Sequence, residues 1–553
     1  MRQGGVASFD VASFSVMLLG VASFARGSFA LASFARAAVA LAAALTIGAA
    51  AAHSEPFKCP RVGGHFTFGQ ESPIHTLDQM SASSGATRNV VMNIQESLIT
   101  RSENNSPILE LAESLTEAPD HLSYTFKLRA GIVFHNGKPM TADDVVASFD
   151  RYAMVGAQRR LLDSVDRWEA ADPATFVIYL KTVQPTFIEA LSAFATPIVI
   201  GPAELRDIPA LQLTRPIGTG PFEWVETIAG GVKLKRFDGY QPNRLFEQRS
   251  GFGGYKVACL DTVTFRIVAE PAARVAGLKA NDLQAAENLP IKALADLRKD
   301  KAVTILPVPN WWIQIANPNV SAEPTDNLLV RKAIQAALDM DEIMEAASDG
   351  NYRLNVGFQY PNQPAYTDAG KETYNLRDAT LAKRYLVQGG YKGEPVVLVT
   401  NKDYPSMYNA ALIVQQQLQA VGINAQMKVV DWQTSVRMVR NTADGWNLHF
   451  TAWGTLPSLG PLAAMQSLVT PGATYKPKDG KDDPDVLAAW TEMNTGPTAE
   501  AREAAFARMQ KLVLDRVYAL PFGSLTQMQG IRTNVAGYTP FRAPRLSNVS
   551  IAD

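Results

Sequence analysis

Apolar and polar side chains alternate along the segment Tyr124–Arg129, which reads YTFKLR. Successive side chains of a strand point to opposite faces, so this alternation predicts a half-buried β-strand. The short apolar run Ile132–Phe134 is predicted to form a second strand, and Asn136–Gly137 favours a tight turn after it. Thr141 precedes Asp144 by three residues, which predicts the start of a helix because each side chain can satisfy a free N–H group there.

Helix and strand patterns continue along the rest of the chain. The longest helical patterns lie at 326–343, 409–421 and 498–517. Strand patterns lie at 62–68, 423–432 and 518–523. The polar segment 475–485, which contains proline and glycine, is predicted to be a loop.

Residues 111–152 resemble the signature of the extracytoplasmic solute-binding proteins of family 5, LAeS…ytFkLR.Gv.FhnG.pmtAdDVv.Sf.R. These proteins are the peptide- and nickel-binding components of bacterial ABC importers. The segments PIGTGPF (216–222) and DNLLVRKAIQAALDMDEI (326–343) are similar to two further segments of the family. The resemblance implies an α/β fold of the two-lobed periplasmic binding protein type, cluster C-like, with the ligand cleft between the lobes.

The resemblance also implies three domains, of which domain I is discontinuous. Domains I and II form the first lobe, and domain III forms the second. We expect domain I at 55–95, 215–305 and 525–553, domain II at 96–214 and domain III at 306–524.

The first 54 residues are predicted to be a leader that ends in a cleavable signal peptide. Arg36 precedes the apolar run 37–52, which has the length of a signal-peptide core and is short for a membrane span. The repeats VASF and LASF before it are interpreted as low-complexity sequence, and the true translation start stays open. We therefore expect the mature protein in the periplasm.

Charge and motifs exclude several functions. The net charge of −1 without a basic patch argues against nucleic acid as a partner. The sequence contains no GxxxxGK[ST], HExxH, GxSxG or SxxK motif, so we predict no catalytic residues, no enzyme activity and no cofactor. The six histidines are scattered and predict no metal site; nickel bound through His75 or His449 is the alternative.

Tryptophans are the main candidates for the cleft because they supply a large rigid contact area and one N–H donor. Peptide-binding relatives carry an aspartate just after a Trp-Thr-Gly-like turn, and it pairs with the ligand's α-ammonium group. The corresponding segment 453–458 contains no acid, so either another acid such as Asp403 replaces it or the ligand has no free amino terminus. The predicted ligand-binding residues are Thr87, Asn89, Trp312, Lys402, Asp403, Tyr404, Trp432, Trp453, Gly454 and Thr455. Packing of the tryptophans and a solvated loop at 402–403 are the alternatives.

Only two cysteines occur, Cys59 and Cys259. Two cysteines in an oxidising periplasm can pair. Dipeptide-binding relatives tie down their N-terminus in this way, and two free buried thiols are the alternative.

The predicted function is that of a periplasmic substrate-binding protein of an ABC importer. It would capture a short peptide or peptide-like solute by closure of two lobes and, as a monomer, deliver it to permease subunits in the inner membrane. A solute sensor, a chaperone-type binding protein and an exported hydrolase are the alternatives.

Overall fold

The computed structural model describes residues 55–361, 363–441, 444–455, 460, 465 and 483–552. The predicted leader and most of the predicted loop 475–485 lie outside the described residues. Among the described residues, no helix has the length and apolar character needed to cross a membrane.

The helices are α1 Gly85–Val91, α2 Ala142–Val155, α3 Phe187–Leu191, α4 Pro271–Ala280, α5 Ile291–Leu297, α6 Leu328–Ala337, α7 Met340–Ser348, α8 Ala379–Gln388, α9 Pro405–Ala420, α10 Trp432–Asn441, α11 Pro484–Thr495 and α12 Ala499–Asp515. Short 3₁₀ turns lie at Arg159–Ser164, Ala203–Leu205 and Lys371–Thr373.

The strands are β1 His65–Gln70, β2 Ile99–Arg101, β3 Pro107–Leu109, β4 Ala112–Glu117, β5 Ser123–Leu128, β6 Val165–Asp172, β7 Thr175–Leu180, β8 Phe222–Ile228, β9 Gly231–Arg236, β10 Arg249–Ser250, β11 Gly253–Gly254, β12 Thr262–Ile267, β13 Ala285–Ala286, β14 Val303–Val308, β15 Ile313–Pro318, β16 Tyr352–Arg353, β17 Val396–Thr400, β18 Ala425–Val429, β19 Leu448–Trp453, β20 Leu520–Leu525, β21 Gln527–Arg532, β22 Val535–Ala536 and β23 Ser550–Ile551.

A seven-stranded sheet and a four-stranded sheet form what we call the first lobe. The seven strands follow the order β14-β21-β13-β1-β12-β9-β8, in which β1 runs parallel to both β12 and β13. The four strands follow the order β4-β5-β7-β6, and all of them come from residues 112–180. Apolar side chains such as Phe126, Phe149 and Phe176 form the core between the four-stranded sheet and α2.

The alternating segment at 124–129 is confirmed as a strand, because β5 covers Ser123–Leu128. The predicted helix is confirmed as α2, and the backbone N–H of Thr141 donates to Asp144 Oδ2 at 2.9 Å. The predicted second strand at 132–134 is wrong. Val133 makes only an isolated bridge with Pro139, and the pairing ends there because Gly131 has a φ of 75° and Thr141 already caps α2.

A six-stranded sheet forms the core of what we call the second lobe. Its strands follow the order β16-β20-β15-β19-β17-β18, with antiparallel pairing around β15 and parallel pairing of β17 with β18 and β19. Buried apolar side chains of α6, α7, α8 and α9 cover one face, and those of α11 and α12 pack in the cluster on the other.

The chain crosses between the lobes over very short distances. β14 ends at Val308 in the first lobe and β15 begins at Ile313 in the second, while β20 and β21 are separated by Thr526 alone. These two short crossings lie side by side, because β14 pairs with β21 and β15 with β20, and such crossings form a hinge about which two lobes can close. The domain boundaries drawn from the sequence stay a prediction.

Two further contacts tie the first lobe together. Cys59 and Cys259 are joined by a disulfide bond, which links the segment before β1 to the segment before β12. In the segment PIGTGPF (216–222), a Cβ atom added to Gly218 would lie 2.3 Å from the carbonyl oxygen of Ile94. Only glycine fits this close approach of two backbone segments.

Candidate functional site

A cavity of about 1010 Å³ lies between the two lobes. The first lobe contributes α1, the residues around 154–160 and those around 287–290, and the second contributes 311–312, 404–407, α10 and the end of β19. This volume is at the upper end of the range that encloses a small-molecule ligand. The cavity is therefore large enough for a ligand of several amino-acid residues.

Helix α1 brings Arg88 to the cavity wall. Its guanidinium carbon lies 5.2 Å from the ring centroid of Trp312 and 5.4 Å from that of Phe194, so the cation lies against two aromatic rings. Nη2 donates to the carbonyl oxygen of Ala195 at 3.2 Å, and Nε has no partner among the described residues. Burial, together with the charge of Arg542, lowers the pKa of Arg88 to about 10, so the group stays cationic at neutral pH.

Two buried carboxylates lie on the same lobe, and sequence analysis missed both. Glu287 Oε2 accepts from Asn89 Nδ2 at 3.2 Å, and its Oε1 accepts from the backbone N–H of Glu71, also at 3.2 Å. Glu71 Oε2 in turn lies 3.5 Å from Arg274 Nη2. Burial raises the pKa of Glu71 to about 7 and also raises that of Glu287.

Strand pairing explains why these acids meet. Glu71 directly follows β1, and Glu287 directly follows β13, which runs parallel to β1. The carboxyl ends of parallel strands lie at one edge of a sheet, where α/β proteins commonly bind ligands. An acid placed directly after each of two strands was the signal available in the sequence.

The second lobe faces these charges with aromatic side chains. Trp312, Trp432, Trp453 and Tyr404 all line the cavity, and the Tyr404 and Trp432 rings meet edge to face at 5.5 Å. A Cβ atom at Gly454 would lie 2.5 Å from the ring of Trp312, so the glycine makes room for this tryptophan.

Trp432 was predicted to end a strand, and that prediction is wrong. β18 ends at Val429, and Trp432 is the first residue of α10. The Asp403 carboxylate accepts the backbone N–H of Trp432 at 2.9 Å, which satisfies a free donor at the start of this helix. A residue 29 positions earlier therefore helps to fix where the helix begins.

The structure brings together six of the ten predicted site residues on the cavity wall: Asn89, Trp312, Tyr404, Trp432, Trp453 and Gly454. The other four do not line it. Thr87 is buried and donates to the carbonyl oxygen of Thr76, Lys402 is exposed with its ammonium 5.1 Å from the Tyr408 ring centroid, and Thr455 is buried. The Asp403 carboxylate binds Trp432 N and His75 Nε2, each at 2.9 Å.

Direct contacts join the lobes beside the cavity. The Ser72 hydroxyl donates to the carbonyl oxygen of Asp403 at 2.5 Å. The Tyr404 hydroxyl accepts the backbone N–H of Gly85 at 3.1 Å. These two hydrogen bonds, with that of His75, hold α1 and the neighbouring first-lobe loop against the start of α9.

Basic side chains outnumber acidic ones among the described residues of the cavity wall. The arginines are Arg88, Arg159, Arg160, Arg274, Arg437 and Arg440, and the acids are Glu71, Glu287 and Asp349. Within the described part of the chain, no group of three histidine, cysteine, aspartate or glutamate side chains could hold a metal ion. The wall therefore favours a ligand with negative charge.

Comparisons with known proteins agree with this architecture. The chain is 29% identical over 422 residues to the glutathione-binding protein GsiB of Escherichia coli, covering 73% of this chain and 77% of that protein. It is 25% identical over 494 residues to a probable peptide ABC transporter periplasmic-binding protein of Sinorhizobium fredii, covering 87% of this chain and 92% of that protein.

Solved structures show the same fold. The oligopeptide-binding protein AppA of Bacillus subtilis, in complex with a nonapeptide, superposes with a TM-score of 0.76 at 20% identity, covering 89% of this chain and all of that one. The periplasmic binding protein AgaA of A. tumefaciens R10, in complex with agropinic acid, gives a TM-score of 0.76 at 23% identity and covers 89% and 99%. The predicted two-lobed α/β fold is confirmed.

The family model described as bacterial extracellular solute-binding proteins, family 5 Middle, matches residues 106–476, which is more than half of the chain. The chain therefore belongs to the family 5 bacterial extracellular solute-binding proteins.

Proposed function

We propose that this protein is the periplasmic substrate-binding component of an ABC importer and that its ligand is an anionic, peptide-like solute. Two kinds of relative support the proposal: a probable peptide ABC transporter protein and a glutathione-binding protein. In this role the protein acts as a monomer, binds its ligand without changing it covalently and delivers it to permease subunits in the inner membrane.

The observation that carries the ligand class is the environment of Arg88. A guanidinium that is buried against two aromatic rings and has an unpartnered Nε–H is positioned to bind a carboxylate. Because Trp312 belongs to the second lobe and Phe194 to the first, this contact forms where the lobes meet. A carboxylate bound there would stabilise the closed state of the two lobes, because groups of both lobes would enclose it.

The buried acids supply the other half of a zwitterion site. Glu71 and Glu287 line the cavity on the same lobe, and Asn89, which follows Arg88 in α1, hydrogen-bonds to Glu287. We assign the ligand's ammonium group to these carboxylates, in place of the aspartate that is missing after Trp453. The three arginines Arg159, Arg437 and Arg440 at the rim favour additional negative charge on the ligand.

Calorimetry with the ligand that copurifies from the periplasm, identified by mass spectrometry, tests the proposal. Arg88→Met should lower affinity roughly ten- to hundredfold, because a hydrogen bond to a charged group contributes about 1.5–3 kcal/mol. Arg167→Met is the matched control: Arg167 also stacks on an aromatic ring, Tyr179, at 3.7 Å, but does not line the cavity. Equal affinities for the wild type and Arg88→Met would contradict the carboxylate assignment.

The proposed role in transport is tested by a second measurement, ligand uptake by cells. Deletion of the gene should abolish uptake of the copurified ligand, and the wild-type protein should restore it while Arg88→Met restores it poorly. Chemical conversion of the ligand by the purified protein would instead indicate an enzyme.

A further inference from the structure

Three polar side chains at the second-lobe wall of the cavity are buried and lack hydrogen-bond partners among the described residues. Asn317 is 1% exposed, Trp432 7% and His449 3%, and all three line the cavity. The atoms without partners are Asn317 Oδ1, Trp432 Nε1 and both ring nitrogens of His449. Leaving a buried polar group unpaired costs about 1–3 kcal/mol, so three such groups at one place indicate a site that a ligand completes.

The fold brings these three groups together. Asn317 on β15 is the register partner of His449 on β19, so both side chains lie on the same face of the sheet. The first residue of α10, Trp432, places its ring parallel to that of His449, with centroids 6.1 Å apart and planes inclined by 21°. On the other side Trp446 meets His449 edge to face at 6.5 Å, which holds the imidazole ring in place.

His449 is neutral in this position. Burial, reinforced by the positive charge of Arg440, lowers the pKa of His449 to about 3. A neutral imidazole has one donor nitrogen and one acceptor nitrogen. The cluster therefore offers a fixed donor at Trp432, and one acceptor together with donor N–H at both His449 and the Asn317 amide, whose Oδ1 is the atom without a partner.

We propose that Asn317, Trp432 and His449 form a subsite that binds an uncharged side-chain amide of the ligand, such as that of a glutamine or asparagine residue. The amide oxygen accepts from the Trp432 indole N–H and from the His449 N–H. The amide N–H donates to Asn317 Oδ1. This assignment rests on the proposed function, because it places part of the same ligand in a second position.

Charged groups fit the cluster less well. A carboxylate offers only acceptors, so it would leave both Asn317 Oδ1 and the acceptor nitrogen of His449 unpaired. An ammonium could donate to Asn317 but would face the Trp432 N–H and the nearby charge of Arg440. Each alternative leaves a buried polar atom unpaired, whereas an amide has both a donor and an acceptor and can pair with Trp432 Nε1 and Asn317 Oδ1 together.

The test uses tripeptides in which one residue, at each of the three positions in turn, is glutamine, glutamate or methionine and the others are glycine. We expect one glutamine peptide to bind the mature protein about tenfold more tightly than its glutamate and methionine counterparts, as measured by calorimetry. Trp432→Phe, which keeps an aromatic ring but removes the N–H donor, should abolish this preference. Trp446→Phe should retain it, because Trp446 contacts the same histidine but does not line the cavity.

Each result is decisive for the subsite. Peptides that bind without a preference for glutamine, or a preference that survives in Trp432→Phe, would overturn the inference and leave the proposed function intact. If no peptide binds although the copurified ligand does, a crystal structure of that complex decides. An amide of the ligand about 3 Å from Trp432 Nε1 and Asn317 Oδ1 supports the subsite, and water alone at these atoms overturns it. Failure of both the peptides and any copurified solute to bind would overturn the proposed function as well.

Discussion

His75 in the first lobe and Asp403 in the second are joined across the cleft, with His75 Nε2 2.9 Å from Asp403 Oδ2. The same carboxylate oxygen accepts the backbone N–H of Trp432, a cavity residue, at 2.9 Å. Asp403 therefore links the start of α10 to the opposite lobe. Such a bond exists only while the lobes are in contact, so it contributes to the closed state and not to the open one.

We expect His75→Ala to weaken ligand binding about two- to tenfold, since a net hydrogen bond contributes about 0.5–1.5 kcal/mol. The free energy of unfolding should change little, because His75 is partly exposed. Calorimetry gives the affinity, and small-angle scattering with and without ligand gives the degree of closure.

The control for this change is His121→Ala. His121 pairs with Glu117 at 2.8 Å, but both residues lie in the first lobe and bridge no cleft. A loss of affinity in His75→Ala that is absent in His121→Ala would support the interlobe role of His75, whereas equal affinities in all three proteins would contradict it.

Glu71 should make the ligand-free protein less stable as pH rises. Its pKa is about 7 in the folded protein because of burial, against 4.5 for the free side chain. The native state therefore binds more protons than the unfolded state between these values, and stability falls from about pH 4.5 to pH 7 and stays lower above it. Glu71→Gln should remove this contribution, which is at most about 3 kcal/mol.

Urea unfolding at pH 5 and pH 8 measures this effect as the difference between wild type and Glu71→Gln, because other buried acids such as Glu287 contribute to both proteins. Glu113→Gln, at an exposed position outside the cavity, is the control. A variant whose stability falls with pH as steeply as that of the wild type would rule out the role of Glu71.

Local patterns were sufficient for much of the fold. The alternation at 124–129 predicts β5, and the Thr141–Asp144 pair predicts the start of α2, because in both cases the determining contacts lie within a few residues. The 132–134 strand failed because Thr141, two residues after Pro139, already caps α2 and ends the pairing.

The site depends on contacts that local patterns do not contain. Glu71 and Glu287 meet only because β1 and β13, more than 200 residues apart, pair in parallel. Asp403 was one candidate for pairing with the ligand's ammonium, beside a solvated loop, and its carboxylate caps α10 and reaches His75 in the other lobe. The periodicity of apolar and polar residues does not indicate which residue of a distant helix or strand an acidic side chain will contact.

Gly454 should tolerate no larger residue. A Cβ atom there would lie 2.5 Å from the ring of Trp312, so Gly454→Ala should displace this tryptophan and its contact with Arg88. Overpacking typically costs about 1–3 kcal/mol, and we expect an affinity loss of about tenfold by calorimetry. Gly85→Ala is the control, because its Cβ would meet Tyr404 Oη at an ordinary 3.8 Å on the same cavity wall. Equal affinities in both variants would show that Trp312 needs no such space.

Reduction of the Cys59–Cys259 disulfide should destabilise the protein without weakening ligand binding. The bond closes a loop of 200 residues, and the chain-entropy account of such a loop gives about 5 kcal/mol. Neither cysteine lines the cavity, so the affinity of the folded protein should stay the same. Thermal unfolding measures the stability and calorimetry the ligand affinity, each with and without dithiothreitol. A reductant is preferable to Cys259→Ser, because Cys259 is fully buried and a hydroxyl there would be unpaired. An unchanged melting temperature under conditions where mass spectrometry shows two free thiols would mean that the native contacts of the first lobe alone hold these segments together.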